Sequence, residues 1–398
     1  MRHLKKDSPG RTAVARAVLA LVLLAAVVLA LALTGCGSSA PGPSSTTAAS
    51  VSSTTATASS VGTGGPGATV TMTDQAGRQL TIPASIKKVY CTSPMGTNLM
   101  FMLAPDMLIG WNISPTALEK EYIPEKYRNV TGLGGWFGKN TTGNVEEIIK
   151  RAPDVVLSIG YLDEAAKSDA DRIQGLLHIP VIMIDGSLVK SGDTLRYVGK
   201  LLGVEERAKE LADYCDGVVK EAEANSAKLT DAQRVKVYYA EGMKGLNTDP
   251  KGSEHTEVLD LVGAANVADV QVESEYGMAP VSFEQVLLWN PQVILVASDP
   301  NQESNVYEQI TTGSQWKTVT ATKVGRVYQI PRGPFDWFDR PPSISRILGV
   351  RWLGNLLYPD LYQYDIKAEV KRFYKLFYQI DLSDAQLQEL MGRALSSK

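Results

Sequence analysis

The chain has 398 residues, with 40 Lys or Arg against 43 Asp or Glu and a formal net charge of -3, so it offers a nucleic acid no basic surface. The first 35 residues hold five of the basic side chains and one acid, which leaves the remainder near -7. Three Cys do not make a disulfide scaffold, and few His argue against a receptor for naked Zn or Mn, which needs three or four converging ligands.

Arg2, Lys5, Lys6, Arg11 and Arg16 precede an uncharged run from Ala17 to Leu33. Leu33-Thr34-Gly35-Cys36 closes that run with small residues, so residues 1–35 read as a secretory signal. The ending resembles a bacterial lipobox, which implies lipid on Cys36 as the first mature residue and the sole covalent group. Residues 37–68 contain only Gly, Ser, Ala, Pro, Thr and Val and cannot bury enough apolar surface to fold. Residues 36–68 are therefore a lipidated tether of roughly 30 Å on the extracytoplasmic face of the cell membrane.

From residue 69 the chain alternates strand and helix signals. Strands are expected at Val89 to Cys91, Leu108 to Gly110, Val155 to Ile159 and Val181 to Ile184, with helices near 96–103, 144–151 and 168–177. That is an α/β lobe, a mainly parallel sheet flanked by helices, over 69–192. Residues 193–229 follow as a connector. After a helical piece to Leu202 and a break at Gly203, Glu205 to Leu229 keeps Ala208, Leu211, Ala212, Cys215, Val218, Val219 and Ala222 at three-and-four spacing. Such a helix is about 36 Å long and acts as a rigid strut between two lobes. A second lobe over 230–358 repeats the scheme with strands at Val235 to Tyr239, Val267, Val293 to Ala297 and Val327 to Ile330 and helices near 254–262, 282–288 and 343–357. A helical tail fills 359–398, with Asp365 capping a face of Ile366, Val370, Phe373 and Phe377 and a capping box at Ser383 to Gln386. The tail reads as packing, and Cys91 and Cys215 as two free thiols.

The lobes share a duplicated device. Glu146-Glu147-Ile148-Ile149 leads after three residues to Pro153-Asp154-Val155-Val156-Leu157, and Glu284-Gln285-Val286-Leu287 leads after three to Pro291-Gln292-Val293-Ile294-Leu295, an offset of 138 residues. In each copy a proline stops a short helix and a β-branched strand follows. Each helix carries a glutamate in its first turn, so Glu146 and Glu284 can present two like charges to a two-fold partner.

In open α/β sheets the ligand sits beyond the carboxyl ends of the strands. That rule nominates Ser93, Met95, Tyr161, Tyr239, Arg332, Asp336 and Trp337, to which Trp136, in the loop Gly132 to Gly138, and His255 and Tyr276 are added. Aromatic surface with an Arg suits a flat or anionic ligand.

Thr73-Asp74-Gln75-Ala76-Gly77-Arg78, Ile82-Pro83, Val89, Ser93-Pro94 and Thr97, followed by the two Glu-to-Pro repeats, resemble the iron-siderophore, haem and cobalamin family of ABC-importer substrate-binding proteins. The similarity runs over nearly all of 69–358. It implies two lobes flanking one rigid helix (a class III binding protein), a monomer that docks on an ABC permease dimer through Glu146 and Glu284, and an interlobe ligand. Asp336-Trp337-Phe338-Asp339-Arg340 resembles the ligand-contact stretch of the cobalamin receptors. Asn98 departs from the acidic residue common in the family, and the tail is longer. The ligand expected is a metal chelate, a ferric siderophore or haem, with His255 or a Tyr as an axial ligand for haem. Cobalamin and an oxyanion such as molybdate, held by Arg332, are the alternatives, as is a sensor or adhesin on the same fold. An enzyme is not expected. There is no Gly-x-Ser-x-Gly elbow, Gly134 to Lys139 is too short for a phosphate loop, and Gly132 and Gly134 lack the third glycine of a dinucleotide site.

Overall fold

A computed structural model describes residues 67–138, 141–271, 278–298 and 305–395. The secretory segment, Cys36, the tether to residue 66 and Tyr276 lie outside the described residues.

The chain enters through an antiparallel hairpin, β1 (Thr69–Thr73) and β2 (Gln79–Pro83). The first lobe then builds a three-stranded parallel sheet in the order β3 (Val89–Cys91), β4 (Val155–Gly160), β5 (Val181–Asp185), with Val156 opposite Val181. Its helices are α1 (Pro94–Leu103), α2 (Ala117–Lys120), α3 (Val145–Arg151) and α4 (Glu164–Leu177). Of the strand expected at 108–110, the backbone forms only one parallel bridge, Leu108 to Val89.

The connector is a helical hairpin. Helix α5 (Ser191–Leu202) ends at left-handed Gly203 and α6 (Glu205–Ser226) turns back along it. The two backbones come so close that a Cβ on Gly199 would meet that of Ala208 at 2.1 Å, which excludes any larger residue there. At 22 residues α6 is about 33 Å long and stops three residues before the expected end at Leu229. Its predicted apolar face, Ala208 to Ala222, is buried.

The second lobe has a four-stranded parallel sheet in the order β11, β10, β6, β8. Its elements in chain order are β6 (Lys236–Ala240), β7 (Asn247–Thr248), α7 (Glu257–Val262), β8 (Ala265–Asn266), β9 (Ala279–Pro280), α8 (Phe283–Trp289), β10 (Val293–Val296), α9 (Val306–Thr312), α10 (Thr320–Lys323), β11 (Val327–Gln329) and α11 (Arg346–Leu357). The tail adds α12 (Ile366–Phe373), a π-helical turn over Tyr374–Tyr378 and α13 (Asp384–Met391), which starts with the expected Ser383 to Gln386 capping box.

The duplication is physical down to the caps. Asn144 and Ser282 cap α3 and α8 by accepting from the backbone N–H of Glu147 and Gln285. Ile148 and Val286 are buried, and Glu146 and Glu284 are exposed. Both helices end in a left-handed residue, Ala152 (φ 49, ψ 66) and Asn290 (φ 44, ψ 66), before the proline. The next residue, Asp154 or Gln292, then accepts from a backbone N–H at the neighbouring strand, Lys88 at 2.8 Å or Lys236 at 2.8 Å.

Strand residues alternate between two cores, as a pleated sheet requires. Val155, Leu157 and Ile159 join a core that runs without a break through both lobes, α6 and the tail, whereas Tyr90, Val156 and Val181 face a separate outer cluster with α4. The second lobe has its own outer cluster around Tyr238, Ile294 and Trp316. Cys91 and Cys215 are both buried and unpaired, and burial raises both thiol pKa values.

Candidate functional site

The two sheets point the carboxyl ends of their strands at one interlobe cleft, and its walls differ. Apart from Glu119, the first-lobe wall is neutral. Ser93 precedes α1 in extended conformation and its side chain caps nothing in the helix. Behind it Thr97 donates to the Asn112 side-chain oxygen, while Asn112 Nδ2 donates to the carbonyls of Cys91 (2.8 Å) and Gly134 (2.7 Å). Asn98 is buried with its Nδ2 unpartnered among the described residues. Met95 lies on Gly186, where a side chain would strike its sulfur.

The second-lobe wall is charged. The turn after β6 supplies Glu241, the turn after β7 Asp249, the turn before α7 His255, and the long loop after β11 Asp339 and Arg340. Arg340 gathers the acids: its Nε donates to Glu241 Oε1 at 2.5 Å and lies 3.3 Å from Asp339 Oδ2, and its Nη2 donates to Asp249 Oδ2 at 2.5 Å. All three acids are buried, and Glu241 Oε2, Asp249 Oδ1 and Asp339 Oδ2 have no hydrogen-bond partner among the described residues. With one guanidinium serving three carboxylates in a medium that disfavours charge, burial raises the pKa of both Glu241 and Asp339.

His255 Nδ1 stands 2.6 Å from Asp339 Oδ1, so the imidazole donates there, while Nε2 lies 3.6 Å from Glu254 Oε1, with the side chain 14% exposed. Burial lowers its pKa, but the bond to Asp339 and the charges of Asp339 and Asp249 outweigh burial, so the net shift is upward. Although so few His argue against a set of metal ligands, Asp249, His255 and Asp339 bring ligand atoms within 4.8 Å of one another.

Two bridges tie the walls together. Arg332 donates from Nε (3.1 Å) and Nη2 (2.7 Å) to Glu119 Oε1 across the cleft and from Nη1 to the Arg340 carbonyl at 2.7 Å. On the other side Glu257 accepts from the Leu188 N–H (3.2 Å) and the Tyr161 hydroxyl (3.3 Å), and pairs with Arg346, whose Nη2 reaches the Gly186 carbonyl at 3.0 Å. Beside these bridges lie two small pockets, one lined by Thr97, Asn98, Asn112 and Arg332 and the other by Met95, Ser187, Ser343 and Arg346.

The residues nominated from sequence divide three ways. Met95 and Arg332 line the pockets, though Arg332 is committed to Glu119 rather than free for an anion; Tyr161 joins the Glu257 bridge, His255 the acidic cluster through Asp339, and Ser93 stands just before α1. Tyr239 and Trp337 are instead buried in the core. Tyr239 packs on Phe338 at 4.8 Å and Trp337 sits edge-on to Trp352 and Tyr374, because the loop after β11 folds its aromatic side inward. Asp336, 3% exposed, accepts from the Phe338 (2.8 Å) and Asp339 (3.0 Å) N–H groups and shapes the loop. Burial pushes its pKa up to about 6. Trp136 is half-buried against Tyr90 and Gly143 as a lid on the outer core. Arg340 fell within the stretch 336–340 that resembles a ligand-contact segment, whereas Glu119, Asp249, Glu257 and Arg346 were missed. Only Glu119 had a readable signal, the Thr116 capping box, and that signal points to a helix start.

Residues 119–333 match the family model described as periplasmic binding protein. The chain is 29% identical over 340 residues to the molybdate-binding protein MolA of Haemophilus influenzae, covering 77% of this chain and 90% of that protein. It is 32% identical to an ABC transporter solute binding protein from Sulfurospirillum deleyianum, with a TM-score of 0.74 over 81% of this chain and 99% of the other. A periplasmic solute binding protein from Veillonella parvula, 23% identical, shares the fold at a TM-score of 0.65 over 82% and 98% of the two chains. This two-lobe chain belongs to the periplasmic binding protein family, as the extracytoplasmic substrate-binding receptor of an ABC importer with a permease partner and a small-molecule ligand.

Proposed function

We propose that the receptor captures a compact metal chelate in the cleft and passes it unchanged to its permease, with His255 Nε2 filling a coordination position on the metal. The observation that carries this reading is the His255–Asp339 pair. A metal-binding imidazole commonly donates its second N–H to a carboxylate, which fixes the tautomer and raises the basicity of the nitrogen facing the metal, and Asp339 holds Nδ1 in that way at 2.6 Å. The buried acids around Arg340 favour a metal-centred ligand over a bare anion. Lipid on Cys36 would keep the receptor at the membrane, and Glu146 and Glu284, exposed at matched positions, would dock on the two permease subunits.

A second reading, capture of an oxyanion, has its own support. The N-terminus of α1 favours negative charge, Ser93 caps nothing there, Asn98 Nδ2 is buried without a partner, and the relative MolA is named for molybdate. Thermal denaturation with molybdate, a nickel–histidine complex, a ferric catecholate, haem and cobalamin separates the two, since ligand at 100 times its Kd adds about 2.7 kcal/mol of stability. The chelate reading expects stabilisation by a chelate that His255→Ala abolishes. Stabilisation by molybdate alone, equal in His255→Ala, would transfer the site to the oxyanion. Charge reversal of both glutamates that left permease association intact would end the docking reading and favour a sensor or adhesin.

A further inference from the structure

We propose that the C-terminal tail is a positioning device for the ligand cleft, in which Tyr374 and Tyr378 hold the loop Pro331 to Pro342 in place across the lobe boundary. This inference rests on that loop serving the cleft.

The loop carries Arg332, Asp336, Asp339 and Arg340 over twelve residues with no helix or strand of its own, so its shape depends on what it packs against. The tail supplies that support through a π-helical turn, Tyr374–Tyr378. Its end residues, four apart, face the same side. The Tyr374 hydroxyl donates to the Gly333 carbonyl and its ring stands edge-on to Trp337 at 6.4 Å. The Tyr378 hydroxyl bonds Ser345 Oγ at 2.7 Å, just beyond the loop, and its ring meets Phe335 edge-on at 5.7 Å. The same two rings also touch the first lobe, Tyr374 on Tyr122 at 6.0 Å and Tyr378 on Phe101 at 6.2 Å.

The flanks of the turn repeat this double attachment. Gln386 Nε2 donates to the Glu121 carbonyl of the first lobe at 3.2 Å. In the second lobe the Gln329 N–H, at the end of β11 where the loop begins, donates to the Arg393 carbonyl at 2.9 Å, and Trp352 Nε1 donates to the Ala394 carbonyl at 2.8 Å. The tail is thereby bonded to the strand that feeds the loop, to the loop itself and to the opposite lobe.

The hydroxyls separate positioning from packing. Tyr374 and Tyr378 are wholly buried, and burying a hydroxyl costs free energy that a phenylalanine avoids. Phe373 and Phe377 beside them, stacked at 4.1 Å and packed on Tyr214 of α6, fill core without a polar atom. Where the turn meets the loop and its exit the residue is Tyr, and its hydroxyl bonds one chosen backbone or side-chain oxygen. Asp339, which holds His255 Nδ1, and Arg340, which pairs with Asp339, lie six and seven residues past Gly333, so a shift there moves the support of the imidazole.

The test is amide hydrogen exchange on the full chain and on Tyr374→Phe, Tyr378→Phe and the double variant, which keep both rings and remove only hydroxyls. The amides of Gly333, Trp337, Phe338 and Asp339 are expected to exchange about fivefold to tenfold faster, with Val155–Gly160 and Val293–Val296 at the wild-type rate. Unchanged loop exchange in the double variant overturns the proposal. So does acceleration of the loop and both strands together, which would mean the tyrosines only contribute global stability. Should the double variant not fold, each single variant reads the same amides. No ligand enters the measurement, so its failure leaves the chelate reading standing, and a failed ligand panel leaves this one to be judged alone.

Discussion

The two walls of the cleft are built on duplicated lobes yet use opposite chemistry. The first-lobe wall holds the neutral Thr97, Asn98 and Asn112 and pairs its acid Glu119 with Arg332 across the cleft, whereas the second-lobe wall packs Glu241, Asp249, Asp339, Arg340 and His255 into one buried cluster. Equal scaffolds therefore do not imply equal sites. Buried charge is held together by its own pairing and fails badly when one member goes, while neutral hydrogen bonds contribute modestly and independently.

That difference predicts a graded response. Arg340→Met leaves three buried acids without their shared cation and is expected to lose about 3–5 kcal/mol in urea unfolding. A loss under 1 kcal/mol would mean the cluster relaxes by taking up protons.

Asp336→Asn tests the same wall through pH. Its folded pKa, about 6, lies above the ordinary 3.8 because burial favours the neutral acid. The folded state thus holds more proton between about pH 4 and 6, and this group's contribution to stability falls as pH rises through that window. Asn keeps the oxygen that accepts from Phe338 and Asp339 and removes the titration, so the variant is expected to gain about 2 kcal/mol relative to wild type at pH 8 compared with pH 4. A parallel pair of melting profiles across pH would refute it.

On the neutral wall, Thr97→Val removes one buried hydrogen bond to Asn112 and should cost about 1 kcal/mol by thermal melting, without a pH dependence. A loss as large as that of Arg340→Met would erase the contrast between the walls. Outside the cleft, Glu146→Lys with Glu284→Lys touches exposed first turns and is expected to shift stability by less than about 0.5 kcal/mol while abolishing co-purification with the permease. Retained association, with stability also unchanged, would separate the duplicated glutamates from docking.

Much of the scaffold was legible residue by residue. Pro153 and Pro291 stop helices wherever they occur, Ala208 to Ala222 repeat with helical period, and Val155 and Val293 open β-branched runs, so helix ends, the α6 strut and the central strands could be read locally. The site was legible only in part. The strand-end rule reached Ser93, Met95, Tyr161 and Arg332, and His255 was added outside it, but the rule treated the loop after β11 as uniformly exposed and so drew in Trp337 and Asp336, which face the core. Nothing in an irregular loop has a period from which a buried face could be read.

The sequence alone determined that two related α/β halves are joined by a long helix, because those properties depend on neighbours a few residues apart. The tertiary structure decided which charges meet. Arg332 finds Glu119 across 213 residues, Arg340 joins Glu241 and Asp249 from 99 and 91 residues away, and Tyr374 reaches Gly333 from the tail. These contacts arise only when separate loops converge at the ends of two sheets, and pairing of charge in a low-dielectric interior depends on that convergence rather than on any local pattern.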